Sequence, residues 1–592
     1  MLDRLRRSAA AYMADGTPEG KRRAVARGPP GRVAAAIPPE FFPPRVLPAR
    51  VLPDQVPLAM SDPITAAPRT VSIGRALTFV VPFLIVAAWW WIGRPVEVPL
   101  SPLAAGEKVA CLSYAPFEGW ESPFDPGRMI PPEQIDRHFA ALAAVTDCLR
   151  TYSVGQGLDV APEMARKHGL KLLLGVWLGR NRAENAAELE KAVALGKAYP
   201  DVIRAIVVGN EVLLRRDLPI ETLREAIRTV RAGAGVPVTY ADVWEFWERN
   251  PELKDEVDFV TVHILPYWED DPIGVVGARD HVEKIRRHVG ELFAGKEILI
   301  GETGWPSAGR MREDALPSPS NQVAYLSEII ALSKANGWDY NLIEAKDQPW
   351  KRRLEGTVGG HWGVLDDALG LKFAWGAPIS DQPSWPLQAI GGLLAAIVVI
   401  GVGGRPARER TPVRLAALAL VAGVALPWWV VEIPLISLDA WDWLFAAATL
   451  GLSAALAVVG ARALAKDLAR PAFATLLGGS AAPRPCLVAR ALGWGVLVAA
   501  AILAATLVAL LVDSRYRDFQ TAAFALPAIV ALVVPPAAGA ARAERFLAIL
   551  MIAAAVGVAV HETFQNTQAL AFVAVALVFA LALRPWRASL RP

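Results

Sequence analysis

The chain has 592 residues, of which 54% are hydrophobic and 20% are charged, and its formal net charge is +3 at pH 7. This composition is too apolar for an ordinary soluble protein and too charged for a pure membrane protein. Its cysteines, Cys111, Cys148 and Cys486, exclude a disulfide-rich scaffold and leave no Cys-x-x-Cys pair for a metal or redox centre. The chain therefore combines parts that face two different solvents.

The charges divide the chain into three parts around Ala76–Gly93, its first long run without a charge. Residues 1–75 carry 12 Lys or Arg against 6 Asp or Glu, residues 94–385 carry 33 against 43, and residues 386–592 carry 16 against 9. The acidic middle part argues against a nucleic-acid enzyme, because its surface would repel phosphates. We therefore expect no nucleic-acid partner.

Residues 1–75 are rich in Ala, Pro and Arg and predict a disordered basic tail. Such a tail either lies on the anionic inner leaflet of a membrane or stays solvated without a partner. Met60 is an alternative start to Met1. Ala76–Gly93 is 18 residues long, is flanked by arginines and ends in three tryptophans, which predicts a membrane span or an uncleaved signal anchor.

Seven further apolar runs follow residue 385. They cover residues 386–404, 415–431, 443–461, 491–512, 519–541, 546–560 and 569–583. These runs predict a multi-span membrane domain over residues 386–592. With residues 76–93, the α-helical membrane part then has one N-terminal span and about seven C-terminal spans.

Basic residues concentrate in one set of the connections between these runs. That set and the C-terminus hold Arg405, Arg408, Arg410, Arg414, Arg462, Lys466, Arg470, Arg484, Arg490, Arg542, Arg545, Arg584, Arg587 and Arg591, whereas the opposite set holds Arg515 and Arg517. The positive-inside rule places the first set and both termini in the cytoplasm. Residues 94–385 are then expected on the outer side of the membrane.

Residues 107–375 alternate short β-branched runs with amphipathic stretches of a dozen or more residues. The candidate strands are Val109–Tyr114, Cys148–Ser153, Leu170–Trp177, Ala205–Val212, Val236–Ala241, Phe259–Leu265, Glu297–Glu302 and Asn341–Glu344. Eight strands alternating with helices over this length predict an α/β fold, a (β/α)8 TIM barrel. The chemistry of such a barrel lies at the C-terminal ends of its strands.

Cys111 and Cys148 fall on neighbouring predicted strands. An oxidising compartment outside the cytoplasm would permit a disulfide between them. Because neighbouring barrel strands rarely accommodate a disulfide, two buried free thiols are the favoured prediction.

Two of the predicted strands end in a glutamate. The fourth delivers Asn210 and Glu211, and the seventh delivers Glu302. A carboxylate at the end of a buried strand is costly to desolvate unless it is paired or used. Each one alone is compatible with a surface glutamate, but strands four and seven lie across the barrel mouth from each other. Carboxyl groups about 5 Å apart there would suit the acid/base and the nucleophile of retaining glycoside hydrolysis.

Three sequence blocks resemble the signature blocks of glycoside hydrolase family seventeen, the β-1,3-glucanase family of the large barrel clan. They are Val207-Val-Gly-Asn-Glu211, Ile298-Leu-Ile-Gly-Glu-Thr-Gly-Trp-Pro-Ser307 and Glu344-Ala-Lys-Asp-Gln-Pro-Trp-Lys351. The resemblance covers residues 107–375. The placement of this domain between one N-terminal span and a multi-span region is similar to bacterial inner-membrane proteins described as β-glucan synthases or β-1,3/β-1,6-glucan transglycosylases of the periplasm.

The resemblance implies roles for individual residues. Glu302 is implied as the nucleophile, Glu211 as the general acid/base, and Asn210 as the partner of the sugar 2-hydroxyl. At the end of strand six a residue is expected to orient the nucleophile, and Tyr267 is favoured over His263, for which a structural role is equally compatible.

The third block departs from the family pattern at three positions. Glu344 and Lys351 match the pattern and are expected at the substrate, whereas Ile343, Lys346 and Gln348 replace two phenylalanines and a glutamate. The loss of that acid puts the family's subsite hydrogen bonds in doubt, but it leaves the two catalytic carboxylates untouched.

Aromatic residues follow many of the predicted strands. They include Trp120, Trp177, Tyr240, Trp244, Trp247, Trp268, Trp305, Trp350 and Trp362. Aromatic rings stack on the C–H face of a sugar, and equally serve as packing. Trp305 and Tyr267 are favoured as sugar contacts.

These observations predict a membrane-anchored retaining enzyme that acts on β-1,3-glucan in the periplasm. Transfer to a sugar hydroxyl during glucan synthesis or remodelling, forming β-1,3 or β-1,6 linkages, is favoured over a plain endo-β-1,3-glucanase. A polysaccharide synthase or exporter, or a glucan-binding membrane protein, is the alternative of another class, but the predicted spans contain no charge and no Gln-x-x-Arg-Trp block occurs. No cofactor or metal is expected, since no metal-ligand motif occurs. The expected partners are β-glucan, membrane lipid and, as an open alternative, a glucan synthase.

Overall fold

The computed structural model describes residues 73–404, 411–478, 485–537 and 542–584. The first 72 residues, with nearly all of the predicted basic tail and both candidate start methionines, lie outside these ranges. So do Arg405, Arg408, Arg410, Arg484, Arg587 and Arg591.

Eight parallel strands close into a barrel, in which β8 returns to pair with β1. The strands are β1 (Leu112–Ser113), β2 (Cys148–Arg150), β3 (Lys171–Val176), β4 (Ile203–Asn210), β5 (Val238–Val243), β6 (Val260–His263), β7 (Ile298–Thr303) and β8 (Asp339–Leu342). The predicted α/β barrel is confirmed, and each predicted strand is present with its ends shifted by no more than three residues.

The helices form two groups, one around the barrel and one beside it. They are α1 (Ile73–Gly93), α2 (Pro132–Leu142), α3 (Ala161–His168), α4 (Arg182–Ala198), α5 (Val212–Arg215), α6 (Ile220–Gly233), α7 (Trp244–Arg249), α8 (Val275–Leu292), α9 (Pro319–Asn336), α10 (Arg352–Glu355), α11 (Trp385–Gly403), α12 (Thr411–Ile436), α13 (Ala440–Ala465), α14 (Phe473–Leu476), α15 (Leu487–Val512), α16 (Thr521–Val533), α17 (Arg542–His561) and α18 (Thr567–Ala582). Helices α2 to α10 belong to the barrel, and α1 with α11 to α18 form an apolar bundle.

Amphipathic spacing explains how the barrel helices pack. In α6, for example, Leu223, Ile227 and Val230 are buried, and their i, i+4, i+7 spacing places them on one helix face toward the strands. Inside the barrel, small and branched side chains such as Ala205 and Leu299 fill the space between the strands.

Cys111 and Cys148 form a disulfide, so the prediction of two free thiols is wrong. Both side chains lie in the barrel interior with Leu173 and Ala205. Their Cα atoms are 4.4 Å apart, at the short end of the separations that a disulfide spans. The pairing arises because both residues point inward where β1 approaches β2.

Every predicted apolar run has a helix in the bundle. Within the described residues, α11, α12, α13, α15 and α17 are long and apolar enough to cross a membrane, whereas α16, α18 and the described apolar part of α1 are shorter. These five helices confirm that the chain after the barrel is a helical region with candidate membrane spans.

Small residues let the first helices of the bundle approach closely. A Cβ atom at Gly392 in α11 would lie 2.1 Å from the carbonyl oxygen of Gly423 in α12. Trp89 of α1 donates a hydrogen bond from Nε1 to that same carbonyl at 3.1 Å, and its ring stacks on Trp428. Close backbone approach and interhelical hydrogen bonds of this kind hold membrane helices together.

Three of the described helices extend beyond the apolar runs and take in an acidic residue, namely Glu432 in α12, Asp442 in α13 and Glu544 in α17. Helix α12 extends to Ile436 and contains Glu432, which accepts a hydrogen bond from Nε1 of Trp428 at 2.7 Å. The predicted runs themselves contain no charge, but the helices that include them do, because the helices continue past the ends of the runs.

The C-terminal ends of the strands face the helical bundle. Arg310, in the loop after β7, forms a buried ion pair with Glu562, which follows α17. Next to it, Asn566 donates a hydrogen bond to the carbonyl oxygen of Met311 at 2.6 Å, and Gln568 accepts one from the Met311 amide at 2.8 Å. Removing one partner of a buried ion pair costs about 3–5 kcal/mol, so this contact holds the barrel firmly on the bundle.

The loop after β8 makes a second set of contacts with the bundle. Arg352 donates hydrogen bonds to the carbonyl oxygens of Leu435 and Ser437 at the end of α12. Thr357 donates from its hydroxyl to the carboxylate of Asp518 at 2.7 Å. The mouth of the barrel is therefore fixed beside one end of the bundle.

Candidate active site

Glu302, near the end of β7, is held by two donors from β2 and the residues after it. The guanidinium of Arg150 donates to Oε1 of Glu302 at 2.7 Å, and the hydroxyl of Tyr152 donates to the same oxygen at 3.0 Å. Arg150 and Glu302 are 1% and 4% exposed. Burial, with the charges of Glu302 and Glu344, raises the pKa of Tyr152 well above its usual value, so its hydroxyl acts as a neutral donor.

Arg150 also connects Glu302 to the predicted sugar-binding residue. It donates hydrogen bonds to the carbonyl oxygen of Gly301 at 2.9 Å and to the amide oxygen of Asn210. One buried guanidinium thus links the ends of β2, β4 and β7. Gly301 has to be a glycine, because a Cβ atom there would lie 2.4 Å from the side chain of Thr261.

Glu211 follows β4 in a left-handed conformation, with φ of 52°. Such a conformation is unfavourable for a residue with a side chain and is typical of functional positions. Nδ1 of His263 lies 3.0 Å from Oε1 of Glu211, and Nε2 of the same ring lies 3.7 Å from Oε1 of Glu302. Burial alone would raise the pKa of Glu211, but the hydrogen bond and charge of His263, together with the charges of Arg215 and Arg150, outweigh it and lower that pKa.

Asp242 supports the turn that carries Glu211, a role that the sequence did not indicate. Its carboxylate accepts hydrogen bonds from the hydroxyl of Tyr240 and from the amides of Leu213 and Leu214, in the first turn after Glu211. Burial, together with the charge of Glu211, raises the pKa of Asp242 to about 7. The unusual backbone of Glu211 is therefore held by a fully buried carboxylate beneath it.

Glu344 and Lys351 form an ion pair beside this site. Glu344 is 1% exposed and has a left-handed φ of 62°. Burial raises its pKa despite the nearby charge of Lys351. Burial alone would lower the pKa of Lys351, but Glu344 and Glu355 raise it. The two predicted residues therefore lie together, and the sequence did not indicate Glu355 beside them.

The altered positions of the third block have partners of their own. Gln348 donates to the carbonyl oxygen of Ala115 at 3.1 Å and accepts a hydrogen bond from Nε1 of Trp350 at 2.8 Å. Lys346 is fully buried and pairs with Asp367 at 2.9 Å. These side chains secure the loops around the mouth, and Gln348 has no charge to offer a sugar.

Tyr267 and Trp305 lie in the core rather than at the site. Both are fully buried, and their rings pack against each other with 6.1 Å between centroids. Tyr267 donates its hydroxyl to the carbonyl oxygen of Arg310 at 2.7 Å, and Trp305 donates Nε1 to that of Leu316 at 3.0 Å. Neither ring offers a face to a sugar, and Tyr267 does not orient Glu302. Arg150, Tyr152 and His263 are the side chains that approach Glu302.

The side chains of Glu211, His263 and Glu302 also have a spacing that a metal ion would accept. Their nearest ligand atoms all lie within 4.8 Å of one another. A cation there would have to share Glu302 with the guanidinium of Arg150, 2.7 Å from the same oxygen. This positive neighbour makes the group a better fit for proton transfer than for a metal. The same 4.8 Å limit places carboxylate oxygens of Glu211 and Glu302 close to the separation of about 5 Å found in retaining glycosidases.

Comparison with known proteins concerns the same part of the chain. Residues 111–363 match the family model of the BtgE/BtgC glycoside hydrolase domain. A glucan 1,3-beta-glucosidase of Schizosaccharomyces pombe is 29% identical over 260 residues, which cover 40% of this chain and 78% of that relative. A glucan 1,3-beta-glucosidase of Saccharomyces cerevisiae is 26% identical over 256 residues, which cover 40% of this chain and 82% of the yeast protein.

Among solved structures, an active-site mutant of a β-1,3-glucanosyltransferase of Rhizomucor miehei in complex with laminaritriose is similar to the barrel. It is 25% identical, with a TM-score of 0.40, and the match covers 45% of this chain and 97% of that protein. The family match and the yeast relatives support the predicted glycoside hydrolase domain, and the enzyme class is that of an O-glycosyl hydrolase or transglycosylase. The relatives described are fungal, so the resemblance to bacterial membrane-bound synthases stays a prediction.

The contact between His263 and Glu211 leads to a prediction about pH dependence. A general acid must be protonated, so kcat/KM for glycoside cleavage falls as pH rises through the pKa of Glu211. His263 lowers that pKa, whereas burial raises it. We expect His263→Ala to raise the pKa of Glu211 and to shift the alkaline limb of the kcat/KM profile to higher pH. His168→Ala, on the outer helix α3, is the matched control, and an alkaline limb that stays or moves to lower pH would contradict the assignment.

Proposed function

We propose that the chain is a membrane-anchored retaining enzyme that acts on β-1,3-glucan and transfers glucosyl units to a sugar hydroxyl or to water. The observation that carries this proposal is the pair of carboxylates, Glu211 and Glu302, with oxygens within 4.8 Å at the C-terminal ends of β4 and β7. The glucan 1,3-beta-glucosidase names of the yeast relatives support the choice of substrate.

The two glutamates divide the reaction between them. An oxygen of Glu302 attacks the anomeric carbon, and the bond from that carbon to the leaving oxygen breaks while Glu211 gives its proton to the leaving oxygen. The resulting glucosyl ester on Glu302 is then attacked by a hydroxyl, whose proton passes to Glu211, and Glu302 is released as a carboxylate. Arg150 and Tyr152 stabilise the charge that Glu302 carries before and after, and we assign Asn210 to the sugar 2-hydroxyl.

His263 suits the second half of this cycle. A base must be ionised to accept a proton, and the contact with His263 lowers the pKa of Glu211. The first half needs the protonated acid instead, so we expect an optimum on the acidic side of neutrality. The first half-reaction is therefore limited at high pH, where Glu211 has lost its proton, and the second at low pH, where Glu211 cannot accept one.

The acceptor of the glucosyl unit, a sugar hydroxyl or water, distinguishes a transglycosylase from a plain endo-β-1,3-glucanase. Both reactions use the same two glutamates, and they differ in how well water is excluded and an acceptor sugar is held. The loops of the bundle that lie against the mouth of the barrel reduce its access to water, which supports transfer. A role in glucan synthesis or remodelling at the membrane is consistent with this arrangement.

The decisive experiment uses the full chain in detergent with laminari-oligosaccharides. We expect products longer than the substrate, and we expect Glu302→Ala and Glu211→Ala to lower kcat by about 10²–10⁴-fold. With a 2,4-dinitrophenyl β-laminarioside, whose leaving group departs without a proton, azide added to Glu302→Ala should restore turnover and give an α-glycosyl azide, whereas azide with Glu211→Ala should give the β-anomer. Glu163→Gln, on the outer face of the barrel, is the control. Shorter products alone would favour hydrolysis, and full activity of Glu302→Ala would refute the proposed mechanism.

The helical bundle supports an orientation in the inner membrane of a bacterium. The connections that contact the barrel contain Ser437, Asp518 and Glu562, and thus belong to one end of the bundle. The other connections and the ends that adjoin them contain the described basic residues Arg414, Arg462, Lys466, Arg470, Arg490, Arg542, Arg545 and Arg584. We propose that this basic end faces the cytoplasm and that the barrel faces the periplasm. The disulfide between Cys111 and Cys148 suits that oxidising side.

Cys486 allows this orientation to be tested with the native cysteines. It is exposed and free, while Cys111 and Cys148 are joined to each other. In spheroplasts of an expressing bacterium, we expect a membrane-impermeant maleimide to leave Cys486 unlabelled until the membrane is permeabilised. Glu184→Cys, on the exposed surface of α4, should be labelled without permeabilisation. Labelling of Cys486 in intact spheroplasts would contradict the orientation.

A further inference from the structure

The connection between α15 and α16, residues 513–520, lies against the mouth of the barrel. Arg515 donates a hydrogen bond to the carbonyl oxygen of Trp268 at 3.4 Å, and the ring of Tyr516 meets the Trp268 ring edge-on with 6.2 Å between centroids. The backbone of Tyr516 lies so close to Gly356 that a Cβ atom on that glycine would be 2.3 Å from the Tyr516 carbonyl oxygen. The bundle therefore forms one wall of the space above the strands.

Glu355, at the end of α10, connects this wall to the candidate catalytic residues. Burial raises the pKa of Glu355 to about 7, against the nearby charge of Lys351. The carboxylates of Glu211 and Glu302 raise it further, so Glu355 lies within electrostatic reach of both. Tyr516 is near Glu355 in the structure, since its carbonyl oxygen approaches the backbone of Gly356, the residue after Glu355. Burial, with the charge of Glu355, raises the pKa of the Tyr516 hydroxyl.

The residues that fasten the barrel to the bundle differ from this group in burial and pairing. Arg310 and Glu562 have side chains that are 2% and 7% exposed, and they are paired with each other. Trp268, Tyr516 and Glu355 are only partly buried. In the part of the chain that the structure describes, neither the Tyr516 hydroxyl nor the Glu355 carboxylate has a hydrogen-bond partner in the protein. A role only in attaching the barrel to the bundle does not explain why Trp268, Tyr516 and Glu355 are partly exposed, or why the polar groups of Tyr516 and Glu355 have no partner among the described residues.

We propose that Trp268, Tyr516 and Glu355 form a carbohydrate subsite that binds one glucosyl unit of a β-1,3-glucan chain away from the bond that reacts. The ring of Tyr516 suits the C–H face of a pyranose, and the hydroxyl and carboxylate suit its hydroxyl groups. Trp268 positions Tyr516 through the edge-on contact, since its own ring is stacked on Trp362 and lies under the guanidinium of Arg515. The inference rests on the proposed function, and it adds that the helical bundle takes part in binding the substrate.

The test measures binding separately from turnover. In the full chain carrying Glu302→Gln, the dissociation constant of laminarihexaose is determined by calorimetry in detergent. We expect Tyr516→Ala to raise this Kd about tenfold, which corresponds to the loss of one ring contact and one hydrogen bond. Tyr516→Phe, which keeps the ring, should have an intermediate Kd. Phe564→Ala is the matched control, since Phe564 is an exposed aromatic residue of the α17–α18 connection at the same end of the bundle.

Each outcome decides between the subsite and the proposed reaction. A Kd that is equal in Tyr516→Ala and its parent overturns the subsite and leaves the reaction standing. Binding that depends on Tyr516, in a chain whose active form converts no laminari-oligosaccharide, supports the subsite and refutes the reaction. No binding to the parent overturns the subsite. If Tyr516→Ala unfolds at a lower temperature than its parent, Tyr516→Phe and Glu355→Gln decide, and a Kd unchanged in both overturns the subsite.

Discussion

One buried cation organises the mouth of the barrel. The guanidinium of Arg150 reaches from β2 to the carboxylate of Glu302 on β7 and to the amide oxygen of Asn210 on β4. An unpaired charge at this depth would cost several kcal/mol, so the three strand ends are held in register by the need to keep these groups paired. The carboxylate of Glu302 is therefore held in one position before any substrate arrives.

The parts of the structure that the sequence predicts are those that follow from periodicity and strand geometry. Alternating apolar strands and amphipathic helices predict the barrel, and long apolar runs predict the bundle. In any (β/α)8 barrel the C-terminal ends of the strands meet at one mouth. The predicted site residues lie at these strand ends: Asn210 and Glu211 at β4, His263 at β6 and Glu302 at β7. Their proximity is therefore a consequence of the fold.

The unpredicted parts depend on contacts between residues far apart in the chain. Arg150 ends the second strand, and a cation at the end of a buried strand, which needs a carboxylate partner, is a signal that the sequence does carry. Asp242 gives no such signal, because its partners are backbone amides and the hydroxyl of Tyr240, none of which is charged. Tyr267 lies in the core and not at the site as predicted, because strand periodicity does not indicate the direction of the loop that follows a strand. The contact of Tyr516 with the barrel depends on how two separately patterned regions pack, and composition carries no information on that.

The central claim is that Glu302 forms a covalent bond to the sugar while Glu211 handles the proton. The most direct test treats the full chain with 2-deoxy-2-fluoro-β-laminaribiosyl fluoride, whose glycosyl ester hydrolyses slowly, and locates the attached sugar by mass spectrometry of the digested protein. The structure predicts one fluorinated disaccharide on the peptide that contains Glu302, and none in Glu302→Gln. A sugar attached to Glu211, or an active enzyme that accumulates no ester at all, would contradict the account.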